Sequence, residues 1–184
     1  MLIDQVIKRK NYEQILYVLR RHPITFVPQI FFLILFVILP VSAFFGFRYF
    51  FPEFFANETI LVISVLGIAT FYLFFLLVFF IHFIDYYLDI WIVTNDRIVD
   101  IEQFGLFSRS ISEVDLFRIQ DVTSYVKGFF PTFFNYGDLH IKTASSNIEI
   151  VFKQIRDPNH VREHLIKLSD MDRRHHFSEE IDMA

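Results

Sequence analysis

Two long runs without a charged side chain restrict the folds open to this chain more than any other feature. Pro23 to Phe47 is 25 residues free of Asp, Glu, Lys, Arg and His, centred on "FFLILFVILPVSAFFGF". Thr59 to Ile81, "TILVISVLGIATFYLFFLLVFFI", is a second run of 23. A helix rises about 1.5 Å per residue, so roughly 20 residues cross a hydrocarbon core about 30 Å thick. Neither run offers a polar face, as a surface helix of a soluble domain would. The spacing predicts transmembrane helices over 23–47 and 59–84, joined by a short external loop, 48–58. The first run is too long and starts too late for a cleaved signal peptide, and no small-residue cleavage pattern follows it.

Orientation is read from the cations beside the runs. Residues 1–22 hold Lys8, Arg9, Lys10, Arg20 and Arg21, whereas the connecting loop holds only Arg48. The N-terminus is expected in the cytoplasm, and two spans return the C-terminal part there. Within 1–22, "YEQILYVLRRH" puts Tyr12, Ile15, Leu16 and Leu19 at helical spacing. Two readings stay open: an amphipathic helix on the membrane surface, or a topology signal with solvated charge.

From Asp85 the period changes from helical to two-residue. In "YLDIWIVT", Leu88, Ile90 and Ile92 share one face and Asp89, Trp91 and Val93 the other. Asn95–Asp96 suits a tight turn. "RIVDIEQ", "SRSISEVDL", "DVTSYVK", "DLHIKT" and "NIEIVFK" read as further strands, with "TASSN" a turn between the last two. "RDPNHVREHLIKL" reads as a helix with Asp157 as N-cap, Pro158 in its first turn, and Val161, Leu165 and Leu168 on one face. Residues 170–184 are polar and unpatterned, and are expected to be disordered. One helix closing a curved antiparallel sheet buries these faces economically.

The words "YLDIWIVTNDRIVDI", "LFRIQDVT" and "GFFPTFFNYGDLHIKTA", followed by the closing helix, resemble the membrane-flanked bacterial pleckstrin-homology family, the YdbS-like proteins. The resemblance covers nearly the whole chain. It implies a two-helix transmembrane hairpin followed, over 85–169, by a PH-like split barrel capped by a C-terminal helix. It implies no enzymatic activity and no cofactor. The expected location is a bacterial inner membrane, with both termini cytoplasmic by the cation count above.

The residues argue against phosphoinositide binding. The first hairpin loop, "TNDR", has one cation beside an acid, and residues 85–184 hold 11 Lys and Arg against 17 Asp and Glu, a net −6. An anionic leaflet repels such a domain, and the whole-chain charge of −4 excludes a typical nucleic-acid binder. A local basic pocket from Arg97, Arg109 and Arg118 is the one expectation in the other direction. Arg118 and Asp121 are expected to fix a turn, and Gly128 and Gly137 to permit backbone that other residues would strain. The Phe-rich "GFFPTFFNYG" is the most telling stretch. Phe129, Phe130, Phe133 and Phe134 fill the barrel mouth, touch lipid or bind a partner.

His160 and His164, four apart, are read as a helix face, because a metal needs a third ligand. Cysteine is absent, and no phosphate loop, H-E-x-x-H or nucleophile motif occurs. The expected function is a non-catalytic membrane module that binds protein partners or itself. The alternatives are a lipid-headgroup or membrane-surface sensor and an accessory subunit of an envelope transport or stress-response complex.

Overall fold

The computed structural model describes residues 10, 12–53, 56–144 and 149–182. The chain forms two compact units, one of residues 23–86 and one made from residues 1–22 together with 87–184. In the second unit, β1 (Ile15–Arg20), β2 (Ile90–Thr94), β3 (Arg97–Phe104) and β4 (Ser108–Asp115) form one antiparallel sheet in that order. A 3-10 turn, Leu116–Arg118, leads to β5 (Ile119–Tyr125). A short helix α3 (Phe129–Phe134) separates β5 from β6 (Tyr136–Thr143), and β7 (Glu149–Arg156) completes a second sheet, β5–β6–β7. An Arg21–Ile155 bridge joins β1 to β7. Helix α4 (Pro158–Asp182) follows.

The first strand corrects the sequence reading. "ILYVLR" was compatible with a helix, yet it pairs with β2 across Ile15–Thr94 to Arg20–Ile90. Its exposure alternates strictly, with Ile15, Tyr17 and Leu19 turned inward and Leu16, Val18 and Arg20 outward. A strand partner supplies its backbone hydrogen bonds, which a lone surface helix would make internally. The PH-like unit therefore does not begin at residue 85. It begins before the apolar runs, which are inserted between its first and second strands.

The inserted unit holds α1 (Val27–Phe50) and most of α2 (Glu58–Leu88). Both helices are long and apolar enough to cross a membrane, and neither has a buried residue. They meet through aromatics: Phe36 stacks on Phe75 at 4.8 Å, and Tyr72 Oη donates to the Val37 carbonyl at 2.5 Å. Gly46 and Gly67 have open space where a Cβ would sit, so helix contact here does not use small-residue approach.

The core lies between the two sheets and α4. Trp91, Val93, Ile98, Leu116, Leu139, Ile141, Phe152, Ile155 and Leu165 are almost wholly buried there. The alternation expected in β2 holds, with both faces buried, since Ile92, Val99 and Ile101 form a second cluster with Ile90. The helix α4 starts where expected, with Asp157 Oδ1 accepting from His160 N at 3.4 Å. Val161 and Leu165 turn inward, with Leu168 packed against the core. It runs on to Asp182, through most of the stretch expected to be disordered. Asp172 Oδ2 accepts from the Phe117 amide at 3.1 Å, and Arg173 donates to the Ile119 carbonyl at 2.7 Å. These bonds tie the second half of α4 to the turn before β5. Most of the "TASSN" turn, 145–148, lies outside the described residues.

Candidate functional site

The most unusual surface of the PH-like unit surrounds the points where the chain leaves and rejoins it. Arg20 pairs with Ile90 in the β1–β2 ladder, so the two ends of the insertion are one strand spacing apart. Side chains lock this junction. Arg21 forms an ion pair with Asp89, which is 2% exposed and also accepts from the Gln103 amide at 2.9 Å. The Arg20 guanidinium lies over the Tyr87 ring, 5.3 Å from its centroid. The His22 amide donates to the Gln154 carbonyl at 2.7 Å, and its imidazole stacks on Tyr136 at 5.5 Å. Burial, with the nearby Arg156 charge, lowers the His22 pKa from its ordinary value, which favours the neutral ring.

Only Asn135 separates helix α3 from Tyr136. Gly128, at φ +108°, opens it and Asn135, in the left-handed region, closes it. Its sequence, FFPTFF, has no charged group. Phe129, Phe130 and Phe133 are 77%, 63% and 71% exposed, and Phe134 is 38% exposed. Core filling is thereby ruled out for the first three; they cover no barrel mouth. Beside Pro131 opens a cleft of about 470 Å³, lined in part by Tyr125, Lys127, Tyr136, Asp138 and His140. Lys127 is exposed and sits 5.0 Å over the Tyr125 ring. On the other sheet, β3 continues beyond Ile101, the partner of Ile90, to a turn that carries Phe107, 98% exposed. Sequence reading passed over Phe107, because a single Phe after Gly-Leu carries no period.

The three arginines do not form one pocket. Arg97 is pinned by acids: Nε and Nη2 reach the two Glu13 oxygens at 2.9 Å each, and Nη1 reaches Glu113 at 2.6 Å. Arg97 faces Asp115 in the β3–β4 ladder, whereas Arg109 faces Gln103. Six ladder positions separate them, roughly 20 Å at about 3.4 Å per residue. Arg118 pairs with Asp115 at 3.1 Å.

The "TNDR" turn instead clasps the segment before β1. Thr94 Oγ1 accepts from the Arg97 amide, Asn95 exchanges hydrogen bonds with Tyr12 and Gln14, and Asp96 pairs with Lys10. Arg118 lies in the turn, as expected, but Asp121 lies inside β5 rather than in a turn and accepts from Thr123 Oγ1 of the same strand at 3.1 Å. Gly137 is required by contact rather than by φ, since a Cβ there would meet the Tyr125 carbonyl oxygen at 2.4 Å. His164 bonds Tyr17 of β1 and stacks near His160, and no cluster of metal-ligating side chains occurs among the described residues.

Among the described residues, seven antiparallel strands in two sheets, with a helix packed on the core, define a PH-like domain that carries two long apolar helices between its first and second strands. The chain belongs to the bacterial PH domain family, which it matches over residues 14–169. That match opens at β1. Among solved structures it is similar to a pleckstrin-homology domain protein of the DUF1696 family from Shewanella loihica PV-4. Identity is 18%, the alignment covers 44% of this chain and 70% of that one, and the TM-score is 0.36. No curated protein matches.

Proposed function

We propose that the chain is a bilayer-anchored PH-like interaction module. In this reading α1 and α2 cross the membrane as a hairpin and hold the PH-like unit at the cytoplasmic face. There it binds protein partners or further copies of itself without catalysing a reaction. The observation that carries this is the insertion itself. β1 precedes α1, β2 follows α2, and the two strands are paired. Both ends of the insertion must then lie on one side of any membrane, which requires an even number of spans; the two apolar helices supply that number. Lys10, Arg20 and Arg21 on the folded side, against Arg48 alone between the helices, favour the cytoplasm for the PH-like unit.

The absence of cysteine from the sequence makes single-cysteine mapping clean. In intact cells a membrane-impermeant maleimide is expected to label Asn57→Cys between the helices. Glu163→Cys on α4 is expected to react only after permeabilisation. The reverse pattern, or labelling of both sites in intact cells, refutes the topology. Alkaline carbonate that released the protein from membranes would refute the anchoring itself.

A further inference from the structure

We propose that the exposed phenylalanines of α3, with Phe107 of the β3–β4 turn, insert into the headgroup layer of the bilayer that carries the hairpin. The inference rests on the anchoring proposed above and names the surface that the PH-like unit meets. Its occupant is lipid, for three reasons.

The first is connectivity. Tyr136, one residue beyond Asn135 at the end of α3, stacks on His22, the last residue before the insertion. The chain leaves the PH-like unit for the apolar helices at His22, so α3 lies beside that exit point. The β3–β4 turn lies at the same end of the other sheet. Its strand passes Ile101 at the level of Ile90 and Arg20, then continues in the direction in which β1 heads for the insertion. Two aromatic projections on separate sheets thus flank one junction.

The second reason is composition. Phe107, Phe129, Phe130 and Phe133 are each more than 60% exposed, and exposed Phe on membrane-surface elements buries into the boundary between headgroups and acyl chains. The third is charge. The PH-like unit, residues 1–22 with 87–184, holds 16 Lys and Arg against 18 Asp and Glu, a net −2. The exposed cations Lys127 and Arg156 lie next to α3, with Arg20 at the junction and the half-buried Asp138 and Asp157 beside them. A nearly neutral unit that carries these exposed cations at one end is not repelled by an anionic headgroup layer.

Single cysteines at Val37, Phe107, Phe133 and Glu163 provide the test. The full-length protein, labelled with an environment-sensitive fluorophore, is reconstituted in phosphatidylethanolamine–phosphatidylglycerol vesicles holding nitroxide lipids. Emission of buried Trp91 verifies the fold of each variant. The Val37 label is expected to be quenched by deep nitroxides, and the Phe107 and Phe133 labels by shallow ones several-fold more strongly than the Glu163 label. If Val37 is quenched while either Phe label matches Glu163, insertion fails and anchoring stands. If Val37 is not quenched, anchoring fails and the inference with it. A Phe133 label shielded from an aqueous quencher but not reached by shallow nitroxides shows a protein cover, and also overturns the inference.

Discussion

Arg97 shows how a motif residue that reads as a lipid ligand can be structural. Its guanidinium has 12% exposure and Glu13, its main partner, has none. Burial raises the Glu13 pKa, but the bonds from Arg97, the Lys10 amide and Thr94 outweigh it, leaving a net lowering. Removing one member of a buried pair strands the other charge, so Arg97→Ala is expected to cost about 3 kcal/mol of stability. Denaturant titration followed by Trp91 emission measures it, and the variant should bind anionic vesicles as the wild type does. Asp100 carries the opposite device. Burial first, then the Glu102 and Asp89 charges, pushes its carboxyl up to about 7, and its Oδ1 has no hydrogen-bond partner. A folded-state pKa above the unfolded one means that the folded protein holds a proton which the unfolded chain releases. This contribution is complete below the unfolded pKa, near 4, declines as pH rises, and is gone above about 7. Asp100→Asn cannot ionise, so its thermal midpoint relative to wild type should rise steadily from pH 4 to pH 7. A difference that stayed constant with pH would show that Asp100 does not titrate in this window.

Among the elements, the tight β5–β6 approach at Gly137 is the sharpest constraint. A methyl group 2.4 Å from a backbone carbonyl cannot be relieved by rotating a side chain. Gly137→Ala is therefore expected to lower stability by about 2 kcal/mol, whereas Gly46→Ala in α1, with open space around it, should be neutral in the same assay. The elements visible in the sequence were those with long local periods: the two apolar runs, the alternation through β2 to β7, and an α4 opened by Asp-Pro. β1 was misread because six residues fit both periods, and its partner lies some seventy positions further on. Nothing local distinguishes a strand whose neighbour follows a membrane-length insertion. The extension of α4 was equally hidden, since its second half is held by Asp172 and Arg173 reaching the backbone of another element. At the candidate site the Phe-rich run stood out by composition. Its outward orientation did not, because exposure is decided by how α3 sits on β6. The supposed basic pocket failed for a related reason: position in the sequence says little about which end of a ladder a side chain occupies.

At the scale of the whole molecule, the split architecture makes a strong demand on any attempt to divide the protein. A fragment starting at Asp85 contains β2 to β7 and α4 but lacks β1. It exposes the outer edge of β2, loses Tyr17 and Leu19 from the core, and leaves Arg97 without Glu13. Unpaired edges of apolar strands seek other chains, so this fragment should aggregate or remain partly unfolded. The complementary excision should succeed. Arg20 and Ile90 are ladder partners, and Arg21–Asp89 closes the pair from the side, so residues 23–86 can be replaced by a short glycine–asparagine turn of the kind that joins hairpin strands. The resulting chain is expected to be soluble, to bury Trp91, and to unfold in one cooperative transition. Amide hydrogen exchange would test it directly: β1 should be protected in the excised protein to the same degree as β2. Unprotected β1 amides, in a domain otherwise folded, would show that the first strand needs the apolar hairpin to find its place.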